Sequence, residues 1–184
     1  GAITVNGAAL AGGNLIHVAS LVAPNSSYAT FTGLTSTNVS AYVLKWSGIT
    51  FTNGDSRKIE AQFQFGGTWE TSSNCYKFDS QRSEWGGQTW QNTGGQDDKF
   101  QITSSSQKVH HGELHIPMHG LNNNDDQSVK PVWGQSHGHE RWERFTGLCL
   151  NTLAKENAFT GVRFFAPANN IGVAGRFDLY KWTY

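Results

Sequence analysis

The sequence predicts an all-β protein built as an antiparallel β-sandwich, and three observations support that class. Short runs with alternating apolar and polar residues recur along the whole chain, as in strands with one buried face. Clusters of Gly, Asn, Asp, Ser and Pro separate these runs at strand-like spacing. No window of helical length keeps apolar residues at i, i+3, i+4 and i+7. Many short strands divided by regular turns pack as two sheets around one core.

The elements follow in order. Residues 1–14 read as an N-terminal hairpin and linker, with Asn6-Gly7 as the turn of Ile3 to Leu10, because Asn-Gly readily supplies positive φ angles. Residues 15–184 read as the sandwich domain. Leu15 to Val22 and Tyr28 to Leu34 are strand-like, with a turn at Pro24 to Ser27. Val39 to Ile49 is apolar on both faces, as expected of a central strand, and Trp46 is assigned to the core. Asn53-Gly54-Asp55 is read as the turn of a hairpin leading to Lys58–Phe65, where Ile59, Ala61, Phe63 and Phe65 share a face. Gly66 to Asp98 loses regular alternation and is expected to be a long loop excursion with short strands. Strand patterns resume at Phe100–Thr103 and Val109–Met118, where Leu114 and Ile116 face inward and Pro117 ends the ladder. A polar loop at Asn122–Asp126 precedes two further strands, Val129–His137 and Arg141–Leu153. A turn from Ala154 to Ala158 follows. Phe159–Phe165 and Phe177–Trp182 complete the chain and are read as a hairpin closing a sheet, with Arg163, Arg176 and Lys181 on its outer face.

Composition narrows the function classes. Lys plus Arg and Asp plus Glu balance at 14 each, so no net field draws the 184-residue chain to nucleic acid or to an anionic membrane. No apolar run approaches the roughly 20 residues that span a bilayer, so membrane insertion is not expected. Cys75 and Cys149 are too few for a disulfide scaffold or a thiolate metal cage, and Cys149 reads as a small hydrophobe.

Leu15-Ile16-His17-Val18-Ala19-Ser20, Tyr28-Ala29-Thr30-Phe31-Thr32-Gly33-Leu34, Tyr42-Val43-Leu44-Lys45-Trp46-Ser47-Gly48-Ile49, Gly112-Glu113-Leu114-His115-Ile116-Pro117, Phe159-Thr160-Gly161-Val162-Arg163-Phe164 and Gly175-Arg176-Phe177-Asp178-Leu179-Tyr180 follow one another in that order. The succession resembles the β-sandwich domains near the C-termini of bacteriophage tail-fibre and related virion proteins, from about Leu15 to Tyr180. The resemblance implies a jelly-roll-like sandwich, displayed on a virion, assembled as a homotrimer with other virion proteins and used for host attachment. Gly66–Asp98 and Gly134–Arg144 fit that pattern poorly, so the features particular to this chain are expected there.

Trp69, Tyr76, Trp85, Trp90 and Trp133 stand among amides and hydroxyls, which suits a neutral sugar that stacks its C–H face and takes directed hydrogen bonds. The alternative is that each plugs a loop onto the sandwich or fills a subunit interface. Six of the seven histidines fall between His110 and His139. His137-Gly138-His139-Glu140 could offer two imidazoles and a carboxylate to a transition metal, or these could be plain surface residues; no other cofactor is indicated. Catalysis has little to rest on. Glu140 and Glu143 would point to opposite faces of a strand, and glycoside hydrolysis needs two carboxylates across one sugar site. The expectation is a non-enzymatic receptor-binding domain of a phage tail fibre or spike, attaching to a bacterial surface polysaccharide or lipopolysaccharide. A purely structural trimerisation domain and a polysaccharide depolymerase fragment are the rivals.

Overall fold

The structure, a computed structural model, describes residues 4–5, 8–9, 13–35, 37–52, 58–84, 87–103, 108–118, 129–138, 141–150, 158–166, 170–172 and 174–183; for 4–5, 8–9, 84, 87–96, 129–130 and 150 it describes the backbone only. The turns expected at Asn53–Asp55, at Asn122–Asp126 and over 154–157 lie outside them.

The chain is all-β and antiparallel. Two short strands, β1 (Thr4–Val5) and β2 (Ala8–Ala9), pair with each other. There follow β3 (Asn14–Val22), β4 (Tyr28–Thr32), β5 (Val39–Ile49), β6 (Glu60–Phe65), β7 (Thr68–Trp69), β8 (Tyr76–Glu84), β9 (Gly87–Asp97) and β10 (Phe100–Gln101). The last five are β11 (His110–Pro117), β12 (Val129–His137), β13 (Arg141–Leu150), β14 (Phe159–Phe165) and β15 (Arg176–Thr183). One sheet has eight strands in the order β3-β15-β5-β11-β12-β13-β8-β9. The other runs β10-β6-β14-β4, with β7 added beside β6.

Eight of these strands form a jelly roll. With β3, β4, β5, β6, β10, β11, β14 and β15 counted as first to eighth, the first pairs with the eighth, the second with the seventh, the third with the sixth and the fourth with the fifth. That is a long antiparallel ribbon wrapped into two sheets, the double Greek key of this architecture. β8 and β9 are inserted between its fourth and fifth strands, β12 and β13 between its sixth and seventh. The insertions pair with each other through β13 and β8 and so extend the larger sheet by four strands.

Two expectations are corrected. Gly66–Asp98 is not a loop excursion: it holds β8 of nine residues and β9 of eleven. Alternation is weak there because inward positions such as Ser80 and Arg82 are polar. β14 and β15 are not a hairpin, nor are β5 and β6; in each case the chain crosses from one sheet to the other. Alternation reports one buried face per strand, and a sandwich buries one face whichever sheet the strand joins.

The core is aromatic. Phe63 of β6 meets Tyr76 at 5.7 Å, Phe159 at 5.9 Å and Phe100 at 6.5 Å between ring centroids, and Phe164 stacks on Phe177 across the sheets at 5.4 Å. Trp46, Leu114, Ile116 and the Ile59, Ala61, Phe63, Phe65 face are all buried, as their patterns required. Each buried Phe contributes roughly 2–3 kcal/mol. Phe100 also lies edge-on to Phe145 at 5.8 Å and to Phe78 at 6.4 Å, so the extension packs on the same core. Cys75 and Cys149 are both free and buried, and burial pushes the Cys75 thiol up. No helix among the described residues is long and apolar enough to cross a membrane.

Candidate functional site

Strand register gathers the polar and aromatic side chains of the larger sheet's outer face into lateral rows. One row runs His17, Tyr180, Val43, His115, Trp133, Thr146, Asp79, each directly opposite the next. A second, two residues along, runs Ser20, Asp178, Lys45, Glu113, Gln135, Arg144. Opposite charges meet in and beside it: Lys45 Nζ lies 4.0 Å from Glu113, Gln135 Nε2 donates to Glu113 at 3.1 Å, and Arg176, two residues before Asp178 on β15, brings its Nε to 2.7 Å from that carboxylate. Ser20 Oγ and Arg176 both donate to Asp178, and with the Arg176 charge they outweigh its desolvation and hold its carboxyl below the usual range.

Trp133 dominates the first row. Its indole is 47% exposed although β12 is an interior strand of the sheet. His115 stacks flat on it, with centroids 3.7 Å apart and an angle of 8°, and His115 Nε2 lies 3.4 Å from Glu113. On the side away from β11 the indole walls a groove of about 450 Å³ across β12, β13 and β8. Pro131 and Leu148 line one end, Thr146 lies opposite Trp133, and Lys77 and Asp79 form the far rim. Such a volume is in the range of small-molecule sites. An aromatic wall with a hydroxyl, a carboxylate and an ammonium around it can stack a pyranose ring and bond its hydroxyls.

The other candidates are dispersed. Tyr76 is a correction: it is fully buried, its hydroxyl donating to Glu70 O at 3.2 Å and accepting from Phe63 N at 2.8 Å, so it has no surface for a ligand. Its burial drives its pKa up. Trp69 is half-buried on the outer face of the smaller sheet, far in topology from Trp133. Trp90 belongs to β9, at the edge of the larger sheet, with its backbone alone described, and Trp85 lies outside the described residues.

The histidines also separate. His110 is buried edge-on against Phe51 at 5.3 Å. His111 accepts from Gly48 N through Nδ1 at 3.1 Å and stands directly opposite His137. His137 has its pKa lowered, first by partial desolvation and then by His111. His139 and Glu140 lie outside the described residues, and among the described residues no group of three metal-capable side chains gathers. Glu143 is buried and faces inward, opposite Ser136 and Arg82.

Lys77, Asp79 and Thr146 were not singled out by sequence. Alternation turns each of them outward, but only the β13–β8 pairing brings them to Trp133.

Fold and face together describe a jelly-roll domain whose larger sheet is extended to carry a tryptophan-walled groove. No known family matches the chain, and no curated protein matches it. Among solved structures it aligns with the structure of infectious bursal disease virus Gx strain at TM-score 0.16 and 9% identity, over 100% of this chain and 45% of that one. It also aligns with the infectious bursal disease virus VP2 subviral particle at TM-score 0.13 and 12% identity, over 94% of this chain and 37% of that one. The chain spans less than half the length of either, and likeness at these scores indicates neither family nor role; the jelly-roll assignment rests on strand order.

Proposed function

We propose that this domain is a non-enzymatic receptor-binding module of a bacteriophage virion, borne on a tail fibre or spike, that attaches to a bacterial surface polysaccharide or lipopolysaccharide. The virion setting follows from the ordered resemblance of its strands to tail-fibre sandwiches, and the jelly-roll connectivity is consistent with it. The binding role is supported by one observation above all: the exposed Trp133 indole, held flat by His115 over a groove rimmed by Thr146, Asp79 and Lys77. Among the described residues Asp79 is the one carboxylate lining that groove, whereas glycoside hydrolysis requires two, which favours binding over cleavage. This reading requires no metal or cofactor.

Titration with host polysaccharide should quench tryptophan fluorescence saturably, and W133A should weaken the response at least tenfold while leaving the thermal midpoint near wild type. A linear, non-saturable response, or W133A binding like wild type, would overturn the assignment. Release of reducing ends from the same polysaccharide would instead point to a depolymerase.

A second reading, an assembly or trimerisation domain, is favoured by β3. This edge strand exposes Leu15, Ile16, Val18 and Val22 at 41–66%. Apolar edge strands are usually covered or blunted, so a second copy or another virion protein fits here. The two readings are compatible, since single sugar sites are weak and a trimer would add avidity.

A further inference from the structure

The outer face of the smaller sheet carries an arrangement that the Trp133 groove does not use. Arg163 of β14 stands directly opposite Gln62 on one side and Thr30 on the other. Gln62 Oε1 accepts from Arg163 Nε at 3.0 Å and from Nη2 at 2.6 Å. Gln62 is itself buried and anchored, its Nε2 donating to Asp98 O at 2.9 Å. The guanidinium carbon then lies 4.6 Å from the Tyr28 ring and 4.5 Å from the Trp69 ring. Two aromatic faces and one amide therefore fix a side chain that on most surfaces swings freely.

What the fork lacks is an anion. Among the described residues no carboxylate pairs with Arg163 and Nη1 makes no hydrogen bond, yet Nη1 is not sealed from solvent. Glu60, on the same face, stands opposite Phe165 instead. Arginine is suited to planar, two-point recognition of carboxylate and phosphate, and here its rotamer freedom was lost on folding. Ordering it costs a ligand little. Around it Tyr28 remains 43% exposed and packs against Phe165 at 5.6 Å, while Thr30 and Thr32 are exposed residues. Cation, aromatic edge and hydroxyls in one patch complement a sugar that carries a negative group.

We infer that Arg163, held between Tyr28 and Trp69, forms a second saccharide site, selective for acidic sugars bearing a carboxylate or phosphate. It takes its ligand class from the glycan-binding reading but shares no residue with the Trp133 groove.

The test uses the full 184-residue chain, labelled with ¹⁵N, with tryptophan indole signals followed during titration with D-glucuronate, D-glucose 6-phosphate, D-glucose and inorganic phosphate. Both acidic sugars should shift the Trp69 indole saturably, at least tenfold more tightly than glucose or inorganic phosphate. R163Q should weaken acidic-sugar binding at least tenfold, and W133A should leave it unchanged. Because R163Q also removes packing, T30E serves as a second variant. It places a carboxylate opposite Arg163 without touching the stack, and should block the acidic sugars while the fold and the Trp133 groove persist. Equal binding of glucose and glucuronate, inorganic phosphate binding as tightly as glucose 6-phosphate, or acidic-sugar binding that survives T30E would each overturn the inference. Loss of neutral-sugar binding in W133A with the acidic-sugar site intact would support it; the reverse would overturn it. Concentration-dependent self-association abolished by R163Q, with no sugar response, would assign Arg163 to a subunit contact and overturn it too.

Discussion

Glu60 shows how one side chain can be costly where it stands. It is 6% exposed, its Oε2 has no hydrogen-bond partner, and burial pushes its pKa from about 4.5 up to about 7, with Lys99 opposing and Asp97 adding to the rise. The folded chain thus holds this proton more tightly than the unfolded chain does. Its contribution to stability is fully present below about pH 4.5 and is lost as pH rises through about 7. E60Q should therefore match wild type near pH 4 and exceed it above pH 8 by about 3 kcal/mol, measured as denaturant midpoints at the two pH values. An equal difference at both would refute the assignment. Tyr76 gives a pH-independent counterpart. Y76F leaves the buried Phe63 N–H without its 2.8 Å acceptor and should cost about 1–3 kcal/mol at any pH from 5 to 8. Neither role is legible in sequence. Glu60 sits in an alternating run that places it outward, and Tyr76 stands among polar residues that advertise a surface; neighbouring strands and loops bury both.

At the scale of elements, the four-stranded extension depends on close approaches that only glycine permits. A Cβ at Gly147 of β13 would run into the Phe100 ring, and one at Gly134 of β12 would meet the Phe145 ring at 2.5 Å. Both rings occupy the space that a side chain would fill, and this fastens β12 and β13 to the shared core. G147A should lower stability by about 2 kcal/mol or more, seen as a drop in Tm, since Phe100 also packs on Phe63, Phe78 and Phe145. An unchanged Tm would show that Phe100 can move aside at no cost. The strands β12 and β13 were visible as alternating runs. The strands β8 and β9 were not, because the inner face toward the far end of the extension is polar, with Arg82, Glu143 and Ser136 in one register row. Period-2 hydrophobicity is a reading of burial against an apolar core, and it fails where a strand buries polar groups instead.

For the whole molecule, the exposed apolar stretch of β3 leads to a prediction about association. The pair I16K and V18K, at positions 42% and 41% exposed, should leave the thermal midpoint within about 1 °C while abolishing any oligomer that sedimentation detects for the wild type. Oligomers that persist in the double variant would move the interface elsewhere. The strand inventory of the jelly roll, the core placement of Trp46, the inward faces of β6 and β11, and the end of β11 at Pro117 were all determined by sequence alone, because alternation and turn residues act locally. Which strand joins which sheet was decided by tertiary structure. Successive runs that look like hairpins, β5 with β6 and β14 with β15, cross between sheets, and nothing within four or five residues encodes that choice. The candidate sites divide in the same way. Trp133 and Trp69 could be picked out as aromatic residues in polar surroundings, but the residues that gather around each of them come from strands distant in sequence. Thr146 and Asp79 reach Trp133, and Tyr28 and Arg163 reach Trp69, only because backbone hydrogen bonding sets strands side by side at about 4.8 Å, and that long-range pairing is fixed by the packing of the entire core.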